Sequence, residues 1–181
     1  MSLDLIGPMM SAMLSHAAAA LTPPVARVAL YPGGSIAFDD CCTGQVWVRL
    51  ISIAPATGQR TTSYTTILPC GVTMWIVEVG IGVLRCAATI DDFGRAPSPA
   101  ALTADTLQMT QDQADLSMAI QCEMSQIGQV ERLSPVSWLP LGPDGSCVGG
   151  EYRVTVLVDN CRCGSIESVS GMVGAMSGGL G

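Results

Sequence analysis

The run Gly71 to Leu84 (GVTMWIVEVGIGVL) constrains this chain more than any other feature. It is rich in β-branched residues and carries one charge, Glu78, near its middle. A membrane-spanning helix needs about 20 mostly apolar residues and tolerates a central charge poorly, so the run is too short to span a bilayer. It predicts a long strand in a folded core, with a bulge or bend where Glu78 and Gly80 fall. A second strand is expected over Gln45 to Ile53 (QVWVRLISI). Period two places Val46, Val48, Leu50 and Ser52 on one face. Gln45, Trp47, Arg49, Ile51 and Ile53 take the other, so both faces are mainly apolar and covered. Arg49 then needs a partner or an exit to water. The two strands should pair antiparallel through Ala54 to Ile67, a polar stretch with Pro55, Gly58 and several Thr residues that reads as a loop or hairpin arm.

Helical spacing flanks these strands. Between Ser2 and Leu21 the positions Ile6, Met9, Met10, Met13, Leu14, Ala17, Ala18 and Leu21 follow i, i+3, i+4, i+7 order, the mark of an amphipathic helix. Thr22-Pro23-Pro24 ends it. A short strand is expected from Ala26 to Leu30, and Pro32-Gly33-Gly34 turns the chain. Ser98 before Pro99 is a helix start, cap then first helical residue. That helix is expected to run through Leu102, Leu107, Ala114, Met118 and Cys122, to keep Asp112 and Asp115 on its wet face, and to stop near Gly128. Trp138 to Leu141, a turn at Gly142-Pro143-Asp144-Gly145, and a last strand at Glu151 to Val158 follow, with Gly149-Gly150 as a bulge or tight turn. The expected class is therefore α+β: an antiparallel sheet with an N-terminal helix and a second helix before the last strand. Residues 1–160 form one domain, and 161–181 are a Gly/Ser/Met-rich tail.

Chemistry-bearing residues are few. Only 13% of the 181 residues are charged, against roughly 25% in an average domain, while 49% are apolar. All eight basic residues are Arg, and the formal net charge is -7, which argues against broad phosphate neutralisation on nucleic acid. The one imidazole, His16, sits on the Met-rich helix, so any nucleophilic triad would depend on it. No phosphate-binding or nucleophile-elbow motif stands between a strand and a helix. The reading is a non-enzyme without cofactor or metal. Asp39-Asp40 and Asp91-Asp92 could form a carboxylate cluster, although acidic loops are usually only solvated. An N-terminus without a positive region and with Asp4 argues against a signal peptide, and hence for synthesis in a cytoplasm.

Eight cysteines are awkwardly spaced: the close pairs, Cys41-Cys42 and Cys161-x-Cys163, make poor zinc knuckles. Buried thiols or disulfides formed outside a reducing cytosol remain as readings. If the two central strands form a hairpin, Cys41 or Cys42 lies opposite Cys86, and Cys42 with Cys86 is the candidate bridge. Trp47, Arg49, Tyr64, Trp75, Glu78, Trp138 and Arg153 are candidate interface residues. The excess of apolar residues without a membrane span suggests a surface partly covered by other subunits.

Three segments, DDCCTGQVWVRL (Asp39 to Leu50), CGVTMWIVEVGIGVLRC (Cys70 to Cys86) and WLPLGPDGSCVGGEYRVTVLV (Trp138 to Val158), resemble the tail terminators, neck-region structural proteins of long-tailed phages of actinobacteria. The resemblance covers residues 39 to 160. It implies a helix, an antiparallel sheet, a helix and a last strand. It further implies a homo-oligomeric ring, usually a hexamer, on the head-proximal end of the tail tube. Such a ring ends tube polymerisation and joins tail to neck. The implied partners are other copies of the chain, the tail tube protein and a head-proximal neck protein. DNA would pass through the lumen without specific binding, no membrane would be involved, and the location would be the tail–neck junction of the virion. Other head-to-tail connectors, adaptor or stopper, have similar lengths and are the nearest alternative, ahead of a disulfide-stabilised extracellular binding module. Arms suited to binding neighbours would be 54–67 and the C-terminal tail.

Overall fold

A computed structural model describes residues 6–39, 41–56, 74–90, 93–126, 130–132 and 137–159. In chain order the elements are α1 (Ile6–Ala20), β1 (Arg27–Pro32), a 3₁₀ turn (Cys41–Thr43), β2 (Gln45–Pro55), β3 (Met74–Cys86), α2 (Pro99–Gln126), β4 (Val130–Arg132), β5 (Ser137–Asp144) and β6 (Cys147–Asp159). The six strands form one mixed sheet in the order β1-β2-β3-β6-β4, with β5 pairing β6 beside β4. The class is α+β, with an N-terminal helix and a second helix ahead of the last strands.

Both helices lie on one face of this sheet. The apolar stripe read on α1 is the buried one: Met9, Met10, Met13 and Ala17, followed by Leu21, enter the main core. There they meet Val46 and Val48 of β2, Val77, Val79, Ile81 and Val83 of β3, and Tyr152, Val154, Val156 and Val158 of β6. Period two in three adjacent strands builds this surface, because in-register neighbours share a face. On the opposite face Cys41, Trp47, Leu84 and Cys147 form a smaller cluster, with Tyr31, Ile36 and Leu141 packed against it.

The structure corrects several expectations. β1 runs parallel to β2, with Arg27 opposite Gln45 and Leu30 opposite Val48, so the sheet is not wholly antiparallel. Parallel neighbours need a crossover. Here residues 33–44 make it, and Gln45 Nε2 donating to Ala37 O and Arg49 Nη1 donating to Gly34 O tie that crossover to the sheet face without helices. The bulge expected at Glu78 and Gly80 lies in β2: Leu50 pairs with Val79 and Ser52 with Glu78, leaving Ile51 as the extra residue, while β3 stays in register with β6 throughout. One inserted residue exchanges the faces beyond it. Ser52 therefore joins Glu78, to which its hydroxyl donates, and Ile53 joins Val77.

Gly149 and Gly150 are likewise not a bulge or turn; they pair with Leu84 and Val83 inside β6. A Cβ on Gly150 would collide with the Trp138 ring, so close approach is what requires glycine there. The irregularity lies across the ladder, between Leu141 and Asp144 of β5.

The second helix starts where its cap signal stands: Ser98 Oγ accepts from Ala101 N and Ser98 O from Leu102 N. Its rotation is the largest correction. Asp112 is buried rather than wet, and Leu102, Leu107, Ala114 and Met118 face outward. Arg85, at the end of β3, holds Asp112 through Nε and Nη2 at 2.7 and 2.9 Å, and its Nη2 also donates to Pro23 O. Gln108 Nε2 bridges Asp112 Oδ1 and Thr22 O. Turning Leu107 and Met118 inward would take Asp112 from Arg85 and leave a largely buried guanidinium without its carboxylate, which outweighs burial of two side chains. Leu116, Ala119 and Ile120 fill the core side instead. Gly128, most of the 54–67 arm and the 161–181 tail lie outside the described residues.

Candidate functional site

Among the described residues a dense polar arrangement lies on the sheet face away from the helices, where β2, β3 and β6 run side by side. Arg49 stands opposite Gly80 of β3, and Gly80 stands opposite Arg153 of β6. Alternation in β6 puts Glu151 and Arg153 on the face that carries Trp47 and Arg49. Glu151 accepts from Arg49 Nε at 2.6 Å, Arg49 Nη2 at 2.7 Å, Trp47 Nε1 at 3.1 Å and Arg153 Nε at 3.3 Å. A bidentate guanidinium–carboxylate pair is the strongest form of charge-assisted hydrogen bond. Gly80 makes room for it: a Cβ there would stand 2.7 Å from the Glu151 carboxyl carbon.

Electrostatics fix the protonation states. Burial pushes the Glu151 carboxyl upward, but the hydrogen bonds from Arg49 and Trp47, the Arg49 charge and the Arg153 contact together hold it below the ordinary carboxylate value. Arg49 is raised, chiefly by its hydrogen bonds to Glu151, against a smaller opposing effect of burial and with help from Glu78. Glu151 is thus a saturated anion, without a free lone pair aimed at a substrate, and is unsuited to general acid or base work. Beside the pair lies a cleft of about 310 Å³ lined by Gly34, Ile36, Phe38, Leu139, Leu141 and Arg153, among others.

The residues singled out from sequence separate here. Trp47 is fully buried and Arg49 nearly so; both point into the protein, and neither is a surface anchor in the folded chain. Trp138 is half-buried, packing edge-on against Tyr152 at 5.0 Å between ring centres. Trp75 is half-buried against the main core, and Glu78 is half-buried beside Ser52. Arg153 is exposed. Tyr64 lies outside the described residues, as do Asp40, Asp91 and Asp92 of the suggested carboxylate cluster. Asp39 pairs with Arg27 at 2.7 Å. His16 is exposed on α1, across the sheet from Arg49 and Glu151.

Four cysteines converge at one end of the sheet. Cys86 and Cys147 are direct partners across the β3–β6 ladder, and the 3₁₀ turn brings Cys41 and Cys42 against them. Cys42 is bonded to Cys86, with Cα atoms 4.2 Å apart, and Cys41 to Cys147, with Cα atoms 5.5 Å apart. No group of three or more His, Cys, Asp or Glu residues that could hold a metal ion is found among the described residues. Nor is any described helix long and apolar enough to cross a membrane.

Sequence reasoning missed Glu151, Asp112 and the Cys41–Cys147 bridge. A signal for the first was present: Arg49 needs a partner, and Glu151 is the only acid in the final strand run EYRVTVLV. Asp112 carries no comparable sign, because an acid among Thr and Gln reads as wet. No protein-family model matches this chain, and no curated protein matches it.

Proposed function

We propose that the chain is a structural subunit of a phage neck, a tail terminator that closes into a ring on the head-proximal end of the tail tube. One observation carries this reading: the sheet layer exposes different apolar surfaces on its two flanks. At the β1 edge Val28 and Leu30 are 46% and 44% exposed. Over the other side, where α2 packs on β6, β3 and β4, Leu107 and Met118 are 65% and 69% exposed. A ring of identical subunits joins one surface to a different surface on the next copy and closes by rotation. Two unlike apolar flanks suit that geometry, and exposed apolar patches mark contact surfaces. A strand edge without a neighbouring strand among the described residues adds main-chain hydrogen bonding to such a contact. The resemblance over residues 39–160 supplies the family, and the net charge of -7 suits a bore through which DNA slides without adhering.

The ring needs no catalytic residue. Its subunit needs a stiff wall, which the cross-linked sheet provides, and contacts above and below for the tube and the neck. The test is an electron-microscopy map of the assembled virion neck. The expected result is a hexameric ring of this chain between tube and head; its density elsewhere, or none at the neck, overturns the reading.

The two disulfides favour one other reading, a disulfide-stabilised extracellular binding module. That module would remain a monomer in light scattering at every concentration and in the presence of tail tubes, whereas the terminator assembles at the tube tip.

A further inference from the structure

We propose that the four-cysteine cluster is a disulfide relay, in which the exposed Cys42–Cys86 pair takes up oxidising equivalents and passes them inward to Cys41–Cys147. The two pairs differ sharply in access. Cys41 and Cys147 are 2% and 3% exposed, sealed in the small cluster with Trp47 and Leu84. Cys42 and Cys86 face solvent. Disulfide exchange requires a thiolate to reach a sulfur along the S–S axis, so of these two pairs a disulfide arriving from solution meets the outer one. The pairs are also adjacent twice over. Cys41 and Cys42 are consecutive residues, and Cys86 and Cys147 are register partners across β3 and β6. Each buried sulfur therefore has an exposed neighbour held beside it by the backbone.

That placement defines a balanced sequence. A low-molecular-weight disulfide oxidises the Cys42 and Cys86 thiols to a bridge and leaves as two thiols. The Cys147 thiolate then attacks Cys86 Sγ; the Cys42–Cys86 bond breaks, a cross-strand Cys86–Cys147 bond forms, and Cys42 departs as a thiolate and takes a proton. Next the Cys41 thiolate attacks Cys147 Sγ, forming Cys41–Cys147 and releasing Cys86, which takes the second proton. No electrons are gained or lost in these two exchanges. The outer dithiol is restored, and a second equivalent of oxidant closes it. The sheet end is thereby locked from the inside out, with the outer bridge formed last.

Two measurements test the relay. In the first, the native chain is titrated with a water-soluble phosphine, quenched with an alkylating agent and mapped by peptide mass spectrometry. Cys42 and Cys86 are expected to be labelled at concentrations about tenfold below those that open Cys41–Cys147. Simultaneous opening, inner-first opening, or free thiols at Cys41, Cys42, Cys86 and Cys147 in the untreated oxidised chain overturns the proposal. In the second, reduced wild-type and Cys86→Ser chains are exposed to oxidised glutathione. Glutathione adducts are expected on Cys42 or Cys86 and not on Cys41 or Cys147, and the inner bridge should close at least about tenfold more slowly in the variant. Equal rates of inner closure in the two chains overturn the relay. If the variant does not fold, reoxidation of the wild-type chain quenched by alkylation decides: a transient Cys86–Cys147 bridge is expected before Cys41–Cys147 closes, and its absence overturns the relay.

Discussion

Glu151→Gln removes one charge from a side chain that is 3% exposed while keeping its shape. Arg49, 9% exposed at its side chain, would then remain in the protein opposite a neutral amide. Breaking a buried ion pair from one side costs about 3–5 kcal/mol, because the remaining charge is left without compensation. The amide oxygen still accepts one bond from Arg49, so the lower end applies, about 3 kcal/mol. For a chain of this size each kcal/mol moves the Tm by roughly 2–4 °C, giving a loss of about 6–12 °C in circular-dichroism melts at pH 7. The pH dependence has a definite sign. Glu151 titrates lower in the folded state than in the unfolded one. Its stabilisation is thus complete above the unfolded carboxylate value, about 4.3, and is lost as the pH falls through the folded value. Wild type should lose this contribution in that acidic window, and Glu151→Gln should lack that part of the slope. Pairing the change with Arg49→Met removes both charges, and the double variant should be more stable than the sum of the singles implies. A Tm change under about 2 °C for Glu151→Gln, with an unaltered acid limb, would refute the account of this pair.

Three further outcomes follow from the same physics. Asp112→Ala strands Arg85 and should cost about 3 kcal/mol or more in urea unfolding, whereas Asp115→Ala, on the half-exposed side of α2, should cost under about 1 kcal/mol. Gly80→Ala drives a methyl group toward the Glu151 carboxyl and should destabilise by about 1–3 kcal/mol, with the effect largely gone in a Glu151→Ala background. Met118→Glu, at a 69% exposed position, should leave the melting temperature of the isolated chain within about 2 °C of wild type; under the ring reading it should abolish ring formation, scored by electron microscopy of tails.

Much of the layer architecture was legible in the residues. The α1 stripe, the two long apolar strands, the Ser98 cap and the last strand all rest on short-range rules: helical spacing, alternation, and a side chain satisfying an exposed backbone N–H. Those rules act over a few residues and need no knowledge of the rest of the chain. The polar site was only half legible. Arg49 announced a need for a partner, but choosing Glu151 requires knowing that β3 separates β2 from β6 and contributes a glycine at the crossing point.

From the residues alone came both helices, the long central strands, the last strand and the apolar face of α1, but not the short strand β4. Tertiary structure decided the parallel placement of β1, the transfer of the bulge from β3 to β2, the rotation of α2 and the pairing of four cysteines. Each of these depends on a contact between residues far apart in the chain. In α2 the sequence reads Asp112 as wet, and one distant guanidinium on β3 turns it inward, since a largely buried charge left without its partner costs more than two exposed apolar side chains.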